Sequence, residues 1–158
     1  MYSMILRLVI SILVCQLAGF VGSIFTRTSV STWYAALNKP SFNPPNGIFS
    51  PVWITLYVLM GIAAFLVWNQ GLEKREVKAA LIIFGVQLVL NALWSAAFFG
   101  LQSPFAGLIV IVALWIFILL TILYFFRLSS PAGVLLLPYI GWVSFAAVLN
   151  FSLWRLNS

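Results

Sequence analysis

Between Lys78 and Arg127 the chain runs for 48 residues without a charged side chain. A single helix of that length would extend about 72 Å, more than twice the roughly 30 Å hydrocarbon thickness of a bilayer. The segment must therefore fold back once. Gly100-Leu101-Gln102-Ser103-Pro104 supplies the turn, a glycine stop followed by a proline restart. A water-soluble domain carries about 25% charged residues. This chain of 158 residues has 6%, against 64% hydrophobic. Lipid is the solvent that suits it, and one domain over residues 1–158 is expected.

The other uncharged stretches count the remaining helices. Leu8 to Thr26 provides 19 residues, enough for one span. That run is longer than the roughly 7–15 residues of a signal-peptide core, and no small-x-small site precedes Arg27, so it reads as a retained helix. Pro40 to Leu72 provides 33 residues, with Pro44, Pro45 and Gly47 spoiling the start. A helix is expected from Phe49 or Pro51 to near Asn69. Leu128 to Trp154 provides 27, with the last helix starting near Pro131 or Ala132. The fold class is an all-α integral membrane protein, a bundle of five transmembrane helices. One connection is long, from Arg27 to Ile48. Its Ser31–Asn38 part suits a short capped helix, and the three prolines after Lys39 stiffen the rest. Long loops with structure of their own are more often functional than idle. No internal repeat is visible.

The eight cations are spread along the chain and flank the apolar runs, as helix-end anchors do. The net charge of +6 is therefore read as membrane anchoring, and nucleic acid is excluded as a partner. Five cations fall on the side of the N-terminus and three on the side of the long loop, which favours a cytoplasmic N-terminus. The single cysteine, Cys15, excludes an internal disulfide and reads as a small buried hydrophobe. There is no histidine, and the only acids, Glu73 and Glu76, share one short stretch. Neither a metal site nor an acid–base pair is expected, and no cofactor is required.

Polar groups inside a bilayer need partners. Gln87, Asn91 and Ser95 lie on one face of the third helix, with Trp94 beside them. They read either as interhelical glue or as ligand anchors. On the fifth helix Trp142 and Ala146 share a face, leaving room for a flat ligand against the indole or for tight helix packing. Trp53 and Tyr57 are likewise four apart on the second. Trp68 and Trp154, near helix ends, suit interfacial anchoring, whereas Trp94 and Trp142 fall deeper. A cavity lined by indoles with a few amides suits a large planar hydrophobic ligand. Ala92, Ala96 and Gly100 form a small-residue stripe serving either internal packing or a homodimer, of which the dimer is preferred. Ala18 and Gly22 make a second such pair.

Four motifs in order resemble the TspO/translocator protein family. They are Trp33-Tyr34-Ala35-Ala36-Leu37-Asn38-Lys39-Pro40-Ser41-Phe42-Asn43-Pro44-Pro45 in the loop, the run Pro51–Gly61, the run Gln87–Ser95 followed by Phe98-Phe99-Gly100, and the run Leu137–Ala146 followed by Leu149-Asn150. The resemblance implies a five-helix bundle, usually a homodimer, with a pocket beneath the first loop. Its walls would be Trp53, Asn91, Trp94, Trp142 and Ala146, with Gln87 and Ser95 nearby and Tyr34 and Pro44 as a lid. Implied ligands are porphyrins such as protoporphyrin IX, haem-related tetrapyrroles and benzodiazepine-site drugs. Some bacterial members degrade porphyrin under light and oxygen, a role that would here fall to Trp53 and Trp142. Two positions depart from the family pattern: Phe42 stands where tryptophan is common, and Phe151 stands where a cholesterol motif needs tyrosine. Cholesterol recognition by that route is not expected. A formal match at Leu120, Tyr124 and Arg127 is discounted.

These features lean toward a bacterial member in the cell membrane, with a bacterial or mitochondrial outer membrane as the alternative. The expected function is a membrane receptor or sensor, with a porphyrin-degrading enzyme and a tetrapyrrole transporter as competing readings.

Overall fold

A computed structural model describes residues 2–158. Its helices are α1 (Tyr2–Ser29), α2 (Trp33–Ala36), α3 (Phe49–Trp68), α4 (Arg75–Ser95), α5 (Pro104–Leu128), α6 (Ser130–Leu135) and α7 (Leu137–Leu156). A short 3-10 turn, Asn46–Ile48, leads into α3, and a π-helical turn, Ala96–Gly100, extends α4. Five of these units are long and apolar enough to cross a membrane, with α6 and α7 together forming the fifth. The chain is an integral membrane protein, and its outer surface meets lipid.

The helices close into a ring in which α1 packs between α3 and α4, α5 packs against α4 and α7, and α6 bridges α5 and α3. The second and third spans, adjacent in sequence, barely touch because α1 lies between them. Gly61 permits the contact of α1 with α3, since a methyl there would lie 2.6 Å from the Cα of Ile12 and 2.9 Å from its N. The central core includes Met60, Leu114, Ile118, Phe125, Tyr139 and Val143. A second cluster, Tyr34, Phe98, Phe99, Leu149 and Leu153, lies beneath the long loop.

Several boundaries differ from the sequence reading. The first span begins at Tyr2 rather than Leu8. Arg7 is accommodated inside it, donating from Nη1 to Asn69 Oδ1 at 3.3 Å and lying 5.7 Å from the Trp68 ring centre. The third span starts at Arg75 rather than Ala79, with Glu76 in the first turn, where the helix dipole favours an acid. The fifth span is interrupted at Leu136. Pro138 accounts for the break, because its ring fits only the first turn of the new helix. The expected turn at residues 100–104 is present but shorter. The third span continues as the π turn to Gly100, and Ser103 then caps α5 by accepting from the Ala106 amide. Gln102 takes a left-handed conformation, φ 51°, and its side-chain amide donates to Ser29 Oγ. The short loop helix forms, at Trp33–Ala36, without the expected side-chain cap. Thr32 Oγ1 turns back instead to the carbonyls of Thr28 and Ser29.

The small-residue stripe is not a continuous face. The π turn shifts the register, so Gly100 packs against Phe25 of α1, while Ala92 and Ala96 stay half-buried. Gly22 of the second small pair faces Ser95.

The close approach at Gly61 generates a test. Gly61→Ala should cost about 1–3 kcal/mol, since α1 backbone cannot yield as a side chain does. Gly141→Ala, inside α7 where a methyl meets nothing, should be neutral or stabilise by up to about 1 kcal/mol. Thermal unfolding in detergent micelles reads both, and equal behaviour of the two would contradict the packing described.

Candidate functional site

A cavity of about 560 Å³ lies under the long loop, between α1, α3, α4 and α7. Its floor is a chain of side-chain hydrogen bonds. Tyr57 donates to Asn91 Oδ1 at 2.5 Å, Asn91 Nδ2 donates to the Tyr139 hydroxyl at 2.7 Å, and Tyr139 donates to Gln87 Oε1 at 2.7 Å. Gln87 ends the chain with a weak contact to Met60 Sδ at 3.9 Å. Gln87, Asn91 and Tyr139 are all buried, and each finds its partner within this chain, as hydrocarbon demands.

The walls are aromatic. Trp53 stacks on Tyr57 with ring centres 5.7 Å apart and meets the edge of Tyr139 at 6.4 Å. Trp94 stacks on Phe98 at 5.4 Å. Its indole N–H donates to Asn150 Oδ1 at 2.9 Å, and Asn150 Nδ2 in turn donates to the Pro104 carbonyl at 2.8 Å. Trp142 packs between Phe49, at 6.0 Å, and Phe145, at 5.4 Å. Its Nε1 is the one buried side-chain nitrogen or oxygen without a hydrogen-bond partner among the described residues. Such an orphan donor costs about 1–3 kcal/mol.

The loop forms the roof. Tyr34 is buried against Phe98 and Phe99, and its hydroxyl donates to Asn43 Oδ1 at 3.0 Å. Burial pushes the Tyr34 phenol above its ordinary pKa, and the Asn43 contact partly offsets this. Phe98 and Phe99 both lie in the π turn and both are buried. At the far end Asn157 clamps the loop. The Asn38 amide donates to Asn157 Oδ1, and Asn157 Nδ2 donates back to the Asn38 carbonyl, both at 2.9 Å.

Of the nine residues singled out from sequence, Tyr34, Trp53, Asn91, Trp94, Ser95, Trp142 and Ala146 line this one cavity. Gln87 lies below the floor, 1% exposed, as the last member of the hydrogen-bond chain. Pro44 lies in the loop outside the lining. The sequence reading missed the contribution of α1. Gln16, Ser23 and Arg27 share one helical face and line the cavity. The polar residues of that face, spaced seven and four apart in an otherwise apolar run, were the available signal. Arg27 is the only charged residue of the lining. Among the described residues no three His, Cys, Asp or Glu side chains come together.

Residues 11–155 match the TspO/MBR family. The chain belongs to that family. It is similar to the tryptophan-rich protein TspO of Chlorobaculum tepidum, 51% identical over 157 residues that cover 99% of each chain. It is also similar to the tryptophan-rich sensory protein of Cereibacter sphaeroides, 40% identical over 79% of this chain and 77% of that one. The translocator protein of Homo sapiens is 36% identical over 90% of this chain and 85% of its own. The family shares the membrane setting and the tryptophan-rich character that composition and helix count already point to.

Asn157→Ala should remove both bonds to Asn38 while leaving the helices intact. Exchange of the Asn38 amide, followed by hydrogen–deuterium exchange, should accelerate about tenfold, as expected for bonds of about 0.5–1.5 kcal/mol each. Unchanged exchange would mean that the aromatic cluster under the loop holds it alone.

Proposed function

We propose that this protein is a membrane receptor or sensor that binds porphyrins and related planar hydrophobic ligands, including benzodiazepine-type molecules, in the cavity beneath the long loop. The observation that carries this reading is the lining itself: three half-buried tryptophans, Trp53, Trp94 and Trp142, around a space of about 560 Å³. Volumes of about 300–1,000 Å³ with apolar walls and a few placed polar groups are typical of small-ligand sites. Indole faces stack on flat conjugated rings. The sensory name of the Cereibacter relative and the porphyrin ligands implied by the family motifs agree with this chemistry.

Ala146 leaves room beside Trp142 on the same face of α7, and Asn91 presents its amide at the floor, fixed by Tyr57 and Tyr139. A ligand is thus met by a pre-organised surface, which lowers the ordering cost of binding. We further propose a homodimer in a bacterial cell membrane, with the small residues Ala92, Ala96 and Gly100 at its contact.

A second reading, light-dependent porphyrin breakdown, draws support from the contiguous oxidisable rings of Trp53, Tyr57 and Tyr139. Titration with protoporphyrin IX in the dark should quench tryptophan fluorescence saturably. Trp142→Ala and Asn91→Ala should each weaken binding about tenfold, the loss expected from about 1.4 kcal/mol of contact. Unchanged affinity in both variants would sink the site. A new porphyrin absorbance band that appears only under light, and that Trp53→Phe and Trp142→Phe abolish, would favour the enzyme reading.

A further inference from the structure

The charges around the cavity are not balanced. The deepest amide oxygens of the lining are satisfied internally, since Asn91 Oδ1 accepts from Tyr57 and Asn150 Oδ1 accepts from Trp94. Arg27, in the last turn of α1, lines the cavity and forms no ion pair among the described residues. The two acids of the chain, Glu73 and Glu76, precede or open α4. They lie at the membrane end where Arg7 meets Asn69, a full span of α1, about 30 Å, from Arg27. The neighbouring cation of the loop is committed elsewhere. Lys39 donates to the Ala35 and Leu37 carbonyls at 3.2 Å, lies 4.9 Å from the Tyr34 ring centre, and does not line the cavity.

An apolar chamber with one cation and no anion attracts an amphiphile of opposite charge. Resting on the reading of this cavity as a ligand site, we propose that Arg27 is its specificity determinant and that the ligand class is the amphipathic carboxylate. The apolar body of the ligand lies against Trp53 and Trp142, and its carboxylate pairs with the Arg27 guanidinium. The planar, forked donor set of arginine matches a carboxylate in two parallel hydrogen bonds. The pairing happens at the edge of a low-dielectric chamber, where it is stronger than in water.

The test compares acids with their neutral esters on the full-length protein in maltoside micelles, which bring no phosphate to Arg27. One pair is protoporphyrin IX and its dimethyl ester, and the other is pyrenebutyrate and its methyl ester. In the wild-type protein each acid should bind about tenfold more tightly than its ester, the discrimination expected of a charge-assisted contact. Arg27→Gln should erase that preference, and Arg27→Lys should restore part of it. Arg27 is exposed, so neither change disturbs the core, and an unchanged thermal unfolding midpoint verifies the fold of each variant. Acid and ester binding alike in both pairs overturns the inference, as does an acid preference that survives Arg27→Gln. Failure of both porphyrins, with the pyrene pair behaving as expected, rejects the porphyrin reading and keeps the assignment of Arg27. Phosphatidylglycerol added to the micelles separates the two sources of anion. Indifference of acid binding supports a ligand carboxylate at Arg27, whereas selective loss of acid binding shows a lipid phosphate there and overturns the proposal.

Discussion

A polar side chain inside hydrocarbon must find its partner within the protein, and at the centre of this bundle that requirement is met by one connected chain. Tyr57 on α3, Asn91 and Gln87 on α4, and Tyr139 on α7 are linked donor to acceptor across the centre. These three helices have few contacts with one another along their lengths, because α1, α5 and α6 stand between them. The hydrogen bonds therefore do what side-chain interdigitation does elsewhere in the bundle: they fix the positions of three helices around a gap. Apolar packing alone would favour closing that gap, since lipid gives no hydrophobic drive to hold helices apart or together. The cavity persists because its floor is polar and fully paired, and because its walls are rings too large to interpenetrate.

The roof follows from a local distortion. The π turn Ala96–Gly100 carries Phe98 and Phe99, both buried, under the loop, where Trp33 and Tyr34 pack on them. In the same turn Gly100 meets Phe25 of α1, and there the small-residue stripe ends. One local departure from the α-helix thus shapes both the roof of the cavity and the end of the third span.

Much of the fold was legible in the sequence because charge is scarce and lipid is unforgiving. Four uncharged stretches, the longest of them folded back once at Gly100 to Pro104, fixed the number of spans at five. The helix ends were less legible. Arg7 was taken as a boundary, yet a long side chain can lie along the helix and satisfy its charge on Asn69 and Trp68. Pro138 was read as internal to a continuous helix, whereas it starts a new one. The π turn leaves no compositional trace. In the site, residues on helices with a strong polar face, such as Asn91 and Ser95, were placed together by periodicity alone. Gln87 has the same periodicity, but one turn farther along the helix separates a wall from a floor, and spacing does not record depth.

The first helix shows why a site assembled from several walls is only partly visible in one dimension. Its polar residues Gln16, Ser23 and Arg27 are dilute, and read singly each has an ordinary role as a backbone hydrogen bonder or helix-end anchor. Gln16 does donate to the Ile54 carbonyl, and Ser23 to that of Phe20. Only the fold shows that the face they share is turned toward Trp53 and Trp142. Gly19 and Gly22 are part of the same arrangement, for side chains there would meet the Tyr57 ring and the Ser95 hydroxyl. The helix is thin where the cavity needs width and polar where the cavity needs an edge. Much of its remaining surface faces lipid, so its sequence is free of packing demands on that side. What α1 must keep is therefore confined to one stripe, and that stripe is a wall of the cavity.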